Sequence, residues 1–188
     1  MYNANKFDAV IINNFISKED CDTFIDFAKK YQNWGDGGGD FWKSRVIHIS
    51  DSNNDYIKNK CFEIRDRIRK VILENYSVSE IYEDTFQIVK WEDGYAQGAH
   101  ADGSEPDGSD NGCSWRDFGV IIYLNDDFDG GKTFYKNYNI EVGPKSGTLV
   151  IHPADINHLH GVTKIVGNTR YTMPSFWTQD INFSRILK

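Results

Sequence analysis

Near residue 80 the spacing of apolar side chains changes, and that change limits the architectures open to the chain. Before it, apolar residues recur at helical intervals. Ser17 stands three positions ahead of Asp20 as a capping box, and Cys21, Phe24, Ile25 and Ala28 follow on one face, which predicts a helix over about 18–30. Ile57, Cys61, Ile64, Ile68, Val71 and Ile72 predict a longer helix over about 55–74. Between the two, 42–49 alternates as a strand does. Beyond Ser79 the period falls to two or to short apolar runs at 85–91, 118–124, 133–135, 148–152, 158–166 and 171–177, separated by turns rich in Asp, Asn and Gly. Helices first and strands afterwards imply a mainly β, α+β chain: a small sandwich or jelly roll with the helices packed on one outer face. A length of 188 residues suits one domain, with 1–80 as helical support and 81–188 as the β core.

Charge and composition exclude several classes of function. Lys and Arg number 21 against 28 Asp and Glu, and a net charge of -7 repels a polyanion, so nucleic acid is not an expected partner. No run approaches the roughly 18 apolar residues of a membrane span, and Met1 to Phe15 lacks the basic cluster and apolar stretch of a signal peptide. A cytoplasmic protein without a membrane partner is expected. Cys21, Cys61 and Cys113 are widely spaced and contain no CxxC, which favours reduced thiols over a disulfide framework. The polar tract from Asp102 to Asp117 is too long for a passive connection and reads as a lid or binding loop.

Four of the five histidines lie in the β-rich half: His100, His152, His158 and His160. In extended backbone, residues i and i+2 share a side, so His100 and Asp102 can present an imidazole and a carboxylate to one point. His158 and His160 offer two imidazoles on another strand, and spacing alone does not choose between them. Two His and one carboxylate with open positions suit a non-haem Fe(II) oxygenase. Ten positions after His160 comes Arg170, with Thr172 two further on. If the segments before and after Gly167 form a hairpin, Arg170 lies opposite about Lys164, roughly 13 Å along the strand from His160. A guanidinium and a hydroxyl there suit the far carboxylate of a five-carbon diacid.

The stretches WEDGYAQGAHAD (91–102), IIYLNDDFDGGKTFY (121–135), SGTLVIHPAD (146–155) and HLHGVTKIVGNTRYT (158–172) together resemble the prolyl 4-hydroxylase-like branch of the Fe(II)- and 2-oxoglutarate-dependent dioxygenases. The segment VIINNFISKEDCDTFI (10–25) resembles the family's usual entry more diffusely. The resemblance implies a double-stranded β-helix, the cupin-like jelly roll, holding its metal between two sheets with N-terminal helices on one of them. Carried over position by position, it makes His100, Asp102 and His160 the iron ligands. It also makes Arg170, Thr172 and Tyr123 the groups that bind the distal carboxylate of 2-oxoglutarate. One departure is Trp91, where relatives usually carry Tyr; an indole can donate a hydrogen bond but cannot accept one.

In family terms the expected reaction is hydroxylation of a C–H bond with O2 and 2-oxoglutarate, releasing succinate and CO2. The first-choice substrate is a prolyl residue in a peptide or protein, with a free amino acid or other small molecule second. A non-catalytic jelly-roll module that binds a metal or a sugar would use the same triad but has no need of Arg170, Thr172 and Tyr123. A nucleic-acid demethylase of the same superfamily is disfavoured by the net charge. The resemblance leaves the need for ascorbate, the regiochemistry and the oligomeric state open.

Overall fold

In the computed structural model, which describes residues 7–35 and 39–185, the two helices stand where their periodicity places them. Residues 1–6, part of the segment read above for a signal peptide, lie outside the described residues. Helix α1 (Lys18–Lys30) starts at Ser17, whose Oγ accepts from the Asp20 amide at 3.0 Å and donates to the Asp20 carboxylate at 2.9 Å. It buries Cys21, Phe24, Ile25 and Ala28. Helix α2 (Asp55–Asn75) is capped by the Asn54 side chain, which accepts from the Ile57 amide at 3.2 Å, and buries Ile57, Cys61, Ile64, Ile68 and Ile72.

Among the described residues twelve strands follow or flank the helices: β1 (Val10–Ile12), β2 (Val46–His48), β3 (Tyr82–Trp91), β4 (Gln97–His100), β5 (Phe118–Tyr123), β6 (Asp129–Gly130), β7 (Thr133–Tyr135), β8 (Ile140–Val142), β9 (Leu149–Pro153), β10 (His160–Val162), β11 (Ile165–Val166) and β12 (Arg170–Thr178). They form a major sheet in the order β1-β9-β5-β12-β3-β2, a minor sheet β4-β10-β7-β8 and a ribbon β11-β6, with every pairing antiparallel. This is a jelly roll with helices on one side, as the change of period implies.

Strand alternation divides the major sheet into two working faces. Phe86, Ile88, Phe118, Val120, Ile122, Leu149, Ile151, Met173 and Trp177 pack with α1 and α2 in the main hydrophobic core. The opposite face meets the minor sheet and its connections. Val89 and Trp91 cluster there with Val162 and Ile165, and Tyr123 and Val150 cluster with Tyr135 and Val142. The alternate residues of β12, Arg170 and Thr172, fall on this inner face.

Two strand expectations are corrected. The 42–49 segment keeps only β2, flanked by 3-10 turns at Asp40–Trp42 and Ile49–Asp51. The 158–166 segment breaks into a 3-10 turn at Ile156–His158, then β10, then β11. The hairpin that set Arg170 opposite Lys164 does not form. Instead, β11 pairs with β6, Ile165 opposite Gly130, while Arg170 lies opposite Trp91 on β3 in the major sheet. Gly130 permits that ribbon: at φ 68° it sits so close to β11 that a Cβ would lie 1.9 Å from the Lys164 carbonyl oxygen. With β11 occupied in this way, β12 crosses to the other sheet.

Candidate metal and cosubstrate site

The register of β4 against β10 sets His100 directly opposite His160, with ring centroids 4.4 Å apart. Asp102 lies just past the end of β4. One donor atom from each of His100, Asp102 and His160 falls within 4.8 Å of the others. His100 Nε2 is 3.6 Å from Asp102 Oδ1, and His160 Nε2 is 3.8 Å from Asp102 Oδ2. Both imidazoles are oriented from behind: His100 Nδ1 lies 3.2 Å from the Gly98 carbonyl and His160 Nδ1 lies 3.0 Å from the His158 carbonyl. A carbonyl only accepts, so each Nδ1 carries a proton, and in the neutral ring Nε2 presents a lone pair. Burial pushes His160 down to about 3, which keeps it neutral at physiological pH. Burial alone would raise the Asp102 carboxyl, but His160, His152 and His100 outweigh it and hold the group well below the usual carboxylate range. Two unprotonated imidazole nitrogens and a carboxylate are the donor set that a divalent first-row metal takes.

His158 is not in this cluster. It belongs to the 3-10 turn rather than to β10, so the i, i+2 rule does not put it beside His160. Its two ring nitrogens contact Asp155 and Asp8, each at 2.7 Å. Burial would lower its pKa, but Asp155 and Asp8 more than compensate and raise it. It is an ion-paired histidine that fastens the turn.

His152, the remaining histidine of the β-rich half, also reaches the cluster. Its Nε2 is 3.2 Å from Asp102 Oδ2, and its Nδ1 is 2.9 Å from the Tyr135 hydroxyl. A signal was present: a titratable residue inside the apolar run TLVIHPA must find a partner if the strand is buried. Which partner it finds depends on sheet register, which the run does not contain.

The second half of the site lies on the major sheet. A cavity of about 260 Å³ is lined by His100, Asp102 and His160, by Thr133 of β7, and by Arg170, Thr172 and Trp91 of the major sheet. Arg170 is only 1% exposed, its Nε has no hydrogen-bond partner, and no carboxylate pairs with it among the described residues. Its guanidinium sits 5.3 Å from both the Trp91 and Tyr123 rings. Burial pushes it down to about 10, so it stays charged at neutral pH. Tyr123 stands behind the cavity wall, its hydroxyl 2.6 Å from Thr133 Oγ1. The Trp91 indole N–H is buried and also has no partner. A buried cation without a counter-ion and an orphaned donor, both in the wall of a cavity that also holds an imidazole-carboxylate cluster, fit an anionic ligand.

The 102–117 tract contributes Asn111 and Arg116 to the same cavity. Trp115 instead stacks flat on Phe183, with centroids 4.5 Å apart and planes 1° apart. Cys113 is not among the clustered donor atoms. A larger open groove of about 870 Å³, lined by Asp8, Arg116 and Asp155, contains none of His100, His160 and Arg170.

Comparison with known proteins identifies the family of the chain. The sequence profile of the 2OG-Fe(II) oxygenase superfamily matches residues 86–179, half of the chain. The chain belongs to this superfamily. It is therefore a dioxygenase whose family uses Fe(II), 2-oxoglutarate and O2. Among curated relatives, mouse prolyl 3-hydroxylase 2 is 28% identical over 93 residues, 43% of this chain and 13% of that protein. Human prolyl 3-hydroxylase 1 is 32% identical over 72 residues, 36% of this chain and 10% of that protein. The chain thus matches about a tenth of the length of these relatives. Among solved structures, the viral collagen prolyl hydroxylase of Paramecium Bursaria Chlorella virus-1, in complex with 2OG, superposes with a TM-score of 0.71 at 16% identity and covers 94% of this chain and 98% of that one. A Trichoplax adhaerens prolyl hydroxylase in complex with a hypoxia-inducible-factor peptide superposes at 0.70 with 18% identity, covering 93% and 84%. At these identities the likeness is one of fold: this oxygenase shares the prolyl hydroxylase jelly roll.

Proposed function

We propose that this oxygenase hydroxylates a C–H bond of a prolyl residue in a peptide or protein. One O2 and one 2-oxoglutarate would be consumed for each hydroxyl inserted, with succinate and CO2 released. In this reading His100, Asp102 and His160 hold Fe(II), and Arg170 and Thr172, with Tyr123 behind them, hold the distal carboxylate of 2-oxoglutarate. The observation that carries it is the buried Arg170 guanidinium, which lacks a carboxylate partner and lines the same cavity as the imidazole-carboxylate cluster. A module that bound only a metal or a sugar would gain nothing from burying that charge. Iron supplies the oxidising chemistry when bound. The protein's own tasks are to keep both Nε2 lone pairs free, to keep the carboxylate ionised, to anchor one end of the cosubstrate and to exclude water. The prolyl substrate is supported by the names of the relatives and structural neighbours.

The test is anaerobic addition of Fe(II) and 2-oxoglutarate, followed by oxygen and a panel of proline-containing peptides read by mass spectrometry. A visible charge-transfer band before oxygen, succinate afterwards and a gain of one oxygen on proline are the expected results. Fragmentation then distinguishes the C3 from the C4 position. Asp102→Ala should lose the band and the succinate while keeping its fold. Full turnover by that variant rejects the ligand set, and oxidation of free amino acids but not peptides moves the substrate to small molecules.

A further inference from the structure

We infer that His152 is a positioning residue that engages one oxygen of Asp102 so that the carboxylate offers the metal only the other. The inference rests on the ligand set proposed above. Three imidazoles surround Asp102, and their hydrogen bonds divide them into two kinds. His100 and His160 donate from Nδ1 to backbone carbonyls, which leaves Nε2 bare. His152 is the reverse. Its Nε2 faces Asp102 Oδ2 at 3.2 Å, and an ionised carboxylate only accepts, so Nε2 bears the proton. In the neutral ring Nδ1 then carries the lone pair and accepts from the buried Tyr135 hydroxyl at 2.9 Å. Tyr135 therefore fixes the tautomer, and with Nε2–H committed to Asp102, that nitrogen is a donor to the carboxylate rather than a metal ligand.

The backbone makes room for this contact. Gly119 on β5 is the register partner of His152 on β9. A Cβ at Gly119 would stand 2.1 Å from Asp102 Oδ2 and 2.6 Å from His152 Nε2, both inside contact distance. Only glycine lets the two side chains meet there. Among the described residues no hydrogen bond reaches Asp102 Oδ1, so that oxygen remains free for the metal. A carboxylate free to chelate through both oxygens would take a position that two-point binding of the cosubstrate requires.

The test uses Mn(II) as a redox-silent probe, titrated into the metal-free full chain and followed by loss of the free Mn(II) electron paramagnetic resonance signal. His152→Phe should weaken Mn(II) binding 10- to 100-fold, the range found when partners of metal ligands are removed. His152→Gln, which can still donate to Oδ2, should recover most of that loss. Asp102→Ala should abolish binding. Thermal midpoints without metal separate fold from site: a merely structural histidine would lower the midpoint in both His152 variants and leave Mn(II) affinity unchanged. If His152→Phe does not fold, the Gln variant and Tyr135→Phe carry the test, the latter expected to weaken binding severalfold by releasing the tautomer. Unchanged affinity in the folded His152 variants, with binding abolished in Asp102→Ala, overturns the positioning role and leaves the ligand set standing. Loss as complete as in Asp102→Ala with no rescue by Gln also overturns it, because His152 would then be a ligand itself. Parent-like binding by Asp102→Ala instead rejects the ligand set.

Discussion

Replacing Arg170 by Met should move two properties in opposite directions. Burial lowers the Arg170 pKa from the usual guanidinium value to about 10. Each unit corresponds to about 1.4 kcal/mol, so the folded protein without cosubstrate carries a penalty of about 3 kcal/mol for enclosing this charge. The sign is set by the direction of the shift. Because the folded value is depressed, the guanidinium is charged in both folded and unfolded states at pH 7, and the penalty is fully present there; it vanishes only as pH rises through the two values. Met keeps the length of the side chain and removes the charge, at the loss of some contact with the Trp91 and Tyr123 rings. Buried charges replaced by apolar side chains commonly gain about 1 to 4 kcal/mol. A net gain of about 1 to 2 kcal/mol, a rise of roughly 3 to 6 °C in the melting midpoint of the cosubstrate-free protein, is the expected result. The same variant should bind 2-oxoglutarate about 30-fold more weakly, since about 2 kcal/mol of charge-assisted hydrogen bonding is lost. At a cosubstrate concentration 100 times the parental Kd, with Mn(II) present, the parent gains about 2.7 kcal/mol of stability and the variant only about 0.9 kcal/mol. Differential scanning calorimetry with and without 2-oxoglutarate measures both. A variant that melts lower without cosubstrate and shows the parental shift with it refutes the reasoning, because Arg170 would then be a structural cation and not the anchor of an anion.

Two further substitutions test the surroundings. Both carboxylate oxygens of Glu83 are buried without a hydrogen-bond partner, and burial, only partly offset by Arg65, pushes the group from 4.5 up to about 7. A raised carboxyl stabilises the fold below its unfolded value and loses that contribution as pH rises through the folded one. Glu83→Gln should therefore flatten the decline in stability between pH 5 and 8 and exceed the parent by about 2 kcal/mol at pH 8; parallel denaturant curves for the two proteins at both pH values would contradict it. Trp91→Phe keeps an aromatic ring beside Arg45 and Arg170 but removes the orphaned indole donor. It should raise the Kd for 2-oxoglutarate by roughly 10- to 100-fold, the worth of one bond to a charged acceptor, and calorimetric titration showing no change removes Trp91 from the cosubstrate contacts.

The features legible in the sequence are those whose cause is local. Helix α1 could be placed from Ser17 and the 3.6-residue spacing after it, because the cap and the buried face lie within one short segment. His100 and Asp102 could be paired because two positions in extended backbone fix a direction. The same rule misplaced His158, since it holds only while the backbone stays extended, and Asp155 turns the chain there by accepting from the amides of Asn157 and His158. Arg170 shows the larger gap. Its residue type identified an anion site, but alternation says which side of a strand a residue faces and not which sheet the strand joins. The hairpin was the wrong choice because Gly130 lets β6 take the partner position on β11.

His152 marks where local reasoning ends and pairing begins. A histidine inside a buried apolar run announces that something must satisfy it, and a glycine at position 119 announces only that a Cβ is unwelcome. Each is uninformative alone, and they acquire meaning through the β5–β9 register that sets them opposite each other with Asp102 between. If that register is what selects glycine, Gly119→Ala should reproduce the metal-binding defect of His152→Phe even though it removes no polar group, because a Cβ 2.1 Å from Asp102 Oδ2 forces the carboxylate off its histidine. Normal Mn(II) affinity in Gly119→Ala would mean that Asp102 holds its position without His152, and the pairing that joins the two residues would then be an accident of the strand order.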